Sequence, residues 1–135
     1  MQKDNVRAFK NELRNYRFYK KQLIEYEDAI EYYYDRLGGV RGVDPSREPI
    51  HSPPNKDYEY WLRDKIETYA QLKARTERNV LYVDQILGRM ETSLRTAIIA
   101  IYVKGNKVSK LSMDMEISES GLLKRINKEI EKALD

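Results

Sequence analysis

The sequence has no cysteine and only one histidine among its 135 residues. Disulfide frameworks and Cys/His zinc sites are therefore excluded by count, and the fold must be held by packing alone. No run approaches the ~18 consecutive apolar residues of a membrane span. The opening MQKDNVRAFK lacks the apolar block of a signal peptide. The expectation is a cytoplasmic protein with no membrane partner. Proline is missing outside one stretch: all four prolines, with three of the six glycines, lie within residues 38–55. Tryptophan and phenylalanine are scarce, at one and two, while tyrosine occurs eleven times. A net charge of +3 is mildly basic, compatible with nucleic acid and equally with many other partners.

Apolar residues recur at spacings of three and four from Val6 through Phe9, Leu13, Tyr16, Tyr19 and Leu23 to Tyr26, Ile30, Tyr33 and Leu37. That is one face of a helix, expected over about 4–37 and ended by Gly38-Gly39, where a left-handed cap prefers glycine. Residues 38–55, GGVRGVDPSREPIHSPPN, read as a loop. Asn55 can cap a second helix over about 56–88, with Asp57 and Glu59 in its first turn. Its stripe runs through Tyr58, Leu62, Ile66, Tyr69 and Leu72, then Val80, Val83, Leu87 and Met90. Helices this long need a partner, so the two stripes predict an antiparallel helical hairpin. Most tyrosines fall on or beside the stripes, which favours rings sealing a narrow helix interface over an exposed base-stacking surface.

Gly88 and Thr92-Ser93 mark a break, after which the pattern shortens. Leu94, Ala97, Ile98, Ile101 and Tyr102 form a compact helix ending at Lys104-Gly105-Asn106. Val108, Leu111, Ser112 and Met115 form a short second one, and Ile117-Ser118 opens a third carrying Leu122, Ile126, Ile130 and Leu134. A short helix, a tight turn and a longer helix opened by serine is the layout of a helix-turn-helix. Burying Leu122, Ile126 and Ile130 turns Ser120, Gly121, Lys124, Asn127 and Lys128 outward, with Arg125 on the flank. Lysines there can neutralise phosphates, Ser118, Ser120 and Asn127 can hydrogen-bond phosphates or base edges, and Gly121 permits close backbone approach. Lys104, Lys107 and Lys110 gather at the preceding turn. The competing reading is a three-helix bundle with a charged solvent face, and Glu119, Glu129 and Glu131 count in its favour.

The stretch METSLRTAIIAIYVKGNKVSKLSMDMEISESGLLKRINKEIEKAL resembles region four of bacterial sigma factors. Gly105, Leu111, Ile117, Ser118, Leu122, Ile126, Ala133 and Leu134 carry the likeness, which covers about a third of the chain. Two positions depart from the pattern. Glu116 stands where the turn usually has glycine, and Lys107 where serine or threonine usually caps the first helix, although Asn106 could take over. The whole layout is similar to phage late-gene regulators of the ArpU and RinA type. That likeness rests on IEYYYDRL, LGGVRGVDPSREPIHSPP and LYVDQILGRM. It implies a transcriptional activator that binds a phage promoter and contacts host RNA polymerase.

Catalysis finds no support. His51 sits in the proline-rich loop without a cysteine partner, LGGVRG lacks the Gly-Lys-Ser/Thr of a phosphate-binding loop, and the acids are scattered along helix faces. No cofactor or metal is expected. The expected fold is all-α: residues 1–90 a helical hairpin for oligomerisation or partner contact, and 91–135 a DNA-binding helix-turn-helix. The expected function is sequence-specific, self-associating transcription regulation on double-stranded DNA, most simply as a dimer. The alternatives are a phage DNA-packaging protein like a small terminase subunit and an adaptor that never touches DNA.

Overall fold

The computed structural model describes residues 2–41 and 56–135. The chain is all-α, and no strand occurs among the described residues. Helix α1 spans Gln2–Arg41, α2 Lys56–Gly88, α3 Thr92–Ile98, α4 Val108–Asp114 and α5 Glu119–Leu134. The expected roles of His51 and of Asn55 as a cap lie outside the described residues.

Helix α1 does not stop after Leu37; it continues through both glycines to Arg41. Glycine only weakens a helix, by roughly 1 kcal/mol relative to alanine, and does not oblige it to end. Leu37 is buried with Leu62 and Ile66, which holds the turn just before the glycines.

The described residues form two compact units: residues 2–20 with Arg78–Asp135, and Lys21–Glu77. The division falls inside both long helices, not at the 90/91 boundary expected from the change in sequence pattern. In the unit spanning Lys21–Glu77, the small aliphatic core of Leu37, Leu62 and Ile66 is extended by rings. Tyr33 stacks on Tyr69 at 5.9 Å and meets Trp61 edge-on at 5.7 Å; Trp61 stacks in turn on Tyr58. Tyr26 also touches Tyr69. Each ring brings more apolar area than an aliphatic side chain while its polar end, a tyrosine hydroxyl or the Trp61 indole N–H, can reach water, which suits a thin two-helix contact in which Leu62 alone of the cluster is fully buried. Lys73 lies 3.6 Å from Glu27 and 3.7 Å from Glu77.

The other unit holds the larger core. Val6, Phe9 and Leu13 of α1 pack with Val83, Ile86 and Leu87 of α2, and both sets close over Ile98, Leu122, Ile126 and Ile130. The physical cause of the shifted boundary is here: one apolar cluster spans both ends of the chain. At the C-terminus Ala133 is buried, and Leu134 packs only partly against the cluster.

The α2–α3 connection is pinned at several points. Arg95 donates from Nε to the carbonyl of Leu87 and from Nη2 to that of Met90, both at 2.8 Å. The Leu87 carbonyl also accepts the N–H of Met90, so the guanidinium ties the last turn of α2 and the residues just past it to α3. Arg89 donates to the carbonyl of Ala133, near the end of α5, at 2.9 Å. Glu91 caps α3, its carboxylate accepting from the N–H and hydroxyl of Ser93, which holds it below the usual carboxylate range. After Ile98 the helix widens into a π-helical turn, Ile99–Val103, in which Lys104 N–H reaches back five residues to Ile99. It ends at Gly105, whose φ of 79° is the left-handed stop expected from the sequence.

Hydrogen bonds from a charged donor contribute about 1.5–3 kcal/mol. Arg95→Ala should therefore lower stability to urea by about 2–3 kcal/mol, against a near-neutral effect at an exposed arginine such as Arg75. A second expectation concerns alkali. Tyr16 donates to Asp84 at 2.8 Å. Burial, then the bond to this carboxylate and its charge, push the phenol from 10.0 to about 12. The folded value lies above the unfolded one, so this contribution is complete below pH 10 and fades as pH rises toward 12. The stability difference between parent and Tyr16→Phe, taken from urea midpoints, should shrink across that window.

Candidate nucleic-acid interface

The corner between α4 and α5 follows from hydrogen-bond accounting at the end of a short helix. Past Asp114, Glu116 N–H donates to Met113 and Ile117 N–H to Ser112, at 3.2 and 3.0 Å. This is the paired Schellman arrangement, and it needs a left-handed residue between the last turn and the exit. Glu116 is that residue, with φ of 58°. The turn geometry is thus the one the glycine-bearing pattern uses, held here by glutamate at a cost of about 1–2 kcal/mol. Leu111 and Ile117, before and after the corner, both pack on the larger core and offset that strain.

Ser118 caps α5, its hydroxyl accepting from Gly121 N–H at 3.0 Å. A Cβ at Gly121 would stand 2.9 Å from that hydroxyl oxygen, so the glycine keeps the cap in place. Ser118 and Gly121 therefore hold the start of the helix, and Ser120 lies exposed beside the cap. At α4, Lys107 occupies the N-cap position without a side-chain cap bond, and Asn106 does not replace it there.

Beyond the cap, the inner face of α5 is sealed: Leu122, Ile126 and Ile130 have no exposed surface. Lys124, Arg125 and Lys128 are exposed, as are Lys107 and Lys110 of the α4 region. Of the acids on α5, Glu129 is half-buried and accepts the N–H of Glu91 at 3.1 Å, whereas Glu119 in the first turn is exposed. Asn127 is not turned fully outward. It is half-buried, and its Oδ1 accepts from Lys10 Nζ of α1. The structure thus brings Lys124, Arg125 and Lys128 together on one helix and places Asn127 on the flank toward α1.

That flank carries residues that the sequence reading passed over. An open groove is lined from α1 by Lys3, Arg7, Lys10 and Arg14 and from α5 by Asn127 and Glu131. Lys10 and Arg14 both lie over the ring of Tyr102, 5.2 and 5.5 Å from its centre. The signal was present as spacing: cations at 3, 7, 10, 14 and 17 recur every four and three residues. The same segment carries the stronger apolar stripe of Val6, Phe9 and Leu13, which masks this period in the sequence. Among the described residues, no group of three or more His, Cys, Asp or Glu gathers to hold a metal. Nor is any helix long and apolar enough to cross a membrane.

No family model matches the chain, and no curated protein or solved structure matches it either.

The cap and the glycine should be energetically coupled. Ser118→Ala should cost about 0.5–2 kcal/mol. Gly121→Ala gains helix propensity of up to about 1 kcal/mol but displaces the capping hydroxyl, so alone it should be near neutral. In a Ser118→Ala background the same substitution should stabilise. A double-mutant cycle by urea unfolding measures the difference.

Proposed function

We propose that this chain is a DNA-binding regulator of transcription in which α4, the Glu116 corner and α5 act as a helix-turn-helix with α5 as the reader. One observation carries the reading. The inner face of α5 is completely buried, and the outer face presents Lys124, Arg125 and Lys128 immediately after a left-handed corner. A rigid helix with cations on its solvent side and its start locked by a cap suits insertion into a major groove between two phosphate strands. Lys107 and Lys110 sit where the first helix of such a pair meets backbone phosphates. Base readout falls to Arg125, whose guanidinium is suited to the O6 and N7 of guanine, and to Ser120. Asn127 contributes through Lys10 rather than as an independent reader.

The likeness of residues 90–134 to sigma-factor region four, and of the layout to ArpU- and RinA-type phage regulators, supports a promoter as the target and host RNA polymerase as a partner. Symmetric operators suit a homodimer.

Titration of a labelled duplex between about 50 and 200 mM salt tests the reading. A contact set of four to six phosphates corresponds to a slope of about −4 to −5 in log affinity against log salt. Lys124→Ala with Lys128→Ala should make the slope shallower by about 2 and weaken binding to every sequence, whereas Arg125→Ala should relax preference at one position. An absence of salt-dependent duplex binding by the parent protein would reject the proposal.

A further inference from the structure

We infer that the cationic row of α1 is a second DNA-contacting element, a phosphate rail beside the reader helix. The inference rests on the DNA-binding reading of α5. Lys3, Arg7, Lys10, Arg14 and Arg17 fall within an arc of ~80° at 100° per residue. Lys3, Arg7, Arg14 and Arg17 are exposed, and Lys10 is half-buried. The acids between residues 2 and 20 are Asp4 and Glu12, both outside that arc, and Glu12 accepts the hydroxyl of Tyr19. The groove beside the row sets four of these cations against one carboxylate, that of Glu131.

Three features select a nucleic-acid backbone as the occupant. The middle of the row is preorganised: Lys10 is held by Asn127 of α5, and Lys10 and Arg14 lie over Tyr102, so these two cations keep their place without a ligand. Its length is right. From residue 3 to residue 17 a helix rises about 21 Å, which is roughly six nucleotides of one strand at about 3.4 Å each. Finally, the apolar side of this stretch, Val6, Phe9 and Leu13, is already committed to the core, and between residues 3 and 17 the row exposes no large hydrophobic side chain, Phe18 standing exposed only at its end, whereas membrane-surface helices insert a continuous apolar face and protein hot spots cluster several apolar anchors. Since the groove is shared with α5, a duplex engaged by Lys124 and Lys128 would bring its flanking backbone to this row.

The test uses the full chain and two duplexes, one limited to a single helical turn and one extended by a turn on each side. Lys3→Gln/Arg7→Gln/Arg17→Gln leaves Lys10 and Arg14, with their contacts to Asn127 and Tyr102, untouched. On the long duplex this variant should show a salt slope shallower by about 2–3 and at least a tenfold loss of affinity, equally on all sequences. On the short duplex the loss should be smaller. Arg7→Lys/Arg17→Lys should keep the parent slope, since charge rather than fork geometry is required. An unchanged slope and affinity in the glutamine variant, while Lys124→Gln/Lys128→Gln still weakens binding, would overturn the rail and leave the reader intact. Parent protein that binds no duplex would overturn both. Loss of binding to anionic-lipid vesicles by the glutamine variant, with DNA affinity unchanged, would reassign the row to membranes.

Discussion

Everything in the unit that contains α5 depends on burying Leu122, Ile126 and Ile130 against residues far away in the chain. Helices α3 and α4 are seven residues each. Segments that short do not persist in water by themselves, since isolated helices are marginal even at about 12–15 residues. They exist because α1 and α2 supply Phe9, Leu13 and Val83 as a wall for them to pack on. The wall is closed by polar clamps: Arg95 over the end of α2, Arg89 on Ala133 and Glu129 on Glu91. Each clamp engages a backbone group at or beside a helix terminus, so the α2–α3 connection is tied both to the end of α2 and, through Arg89 and Glu91, to α5.

The strain at Glu116 is understandable in these terms. A residue forced to φ of 58° without being glycine persists only where its surroundings over-determine it. Here the Schellman bonds before the corner, the cap of Ser118 after it, and the packing of Leu111 and Ile117 all fix the same geometry. The sequence departs from the usual glycine without departing from the usual turn, because the corner's shape is set by its flanks.

Local periodicity made much of this legible. The α1 stripe from Val6 to Leu37, the α5 stripe from Leu122 to Ile130, the stop at Gly105 and the cap at Ser118 were all readable, because each is decided by residues three or four apart. The exact end of α1 was not, since glycine permits a left-handed exit without compelling it. The widened turn at Ile99–Val103 also left no trace, because isoleucine, alanine, tyrosine and valine there serve an α-turn and a π-turn equally well. Among the candidate contacts, Ser120, Lys124 and Lys128 were placed outward by helical geometry, Arg125 on the flank, and Lys107 and Lys110 at the preceding turn, and all six are exposed. Asn127 was misjudged for a different reason. Its surroundings are set by Lys10, 117 positions earlier, and no local pattern encodes that meeting.

That same meeting alters how the long helices are understood. As a sequence, the first ninety residues look like an arm whose task is separate from the closing helices. The core places residues 2–20 with α5 instead, and it leaves the aromatic pairing of Lys21–Glu77 as a separate compact unit. A helix cannot both form a wall for α5 and slide independently of it, since moving Phe9 or Leu13 would open the cluster in which Ile126 and Ile130 are buried. Cavities of that kind cost about 2–5 kcal/mol per large side chain, a large fraction of the stability of a small domain. Exposed aromatic surface lies instead in Lys21–Glu77, where Tyr32, Tyr34, Tyr60 and Trp61 remain open, and not along residues 2–16 of α1, whose apolar residues Val6, Phe9 and Leu13 are spent on the cluster.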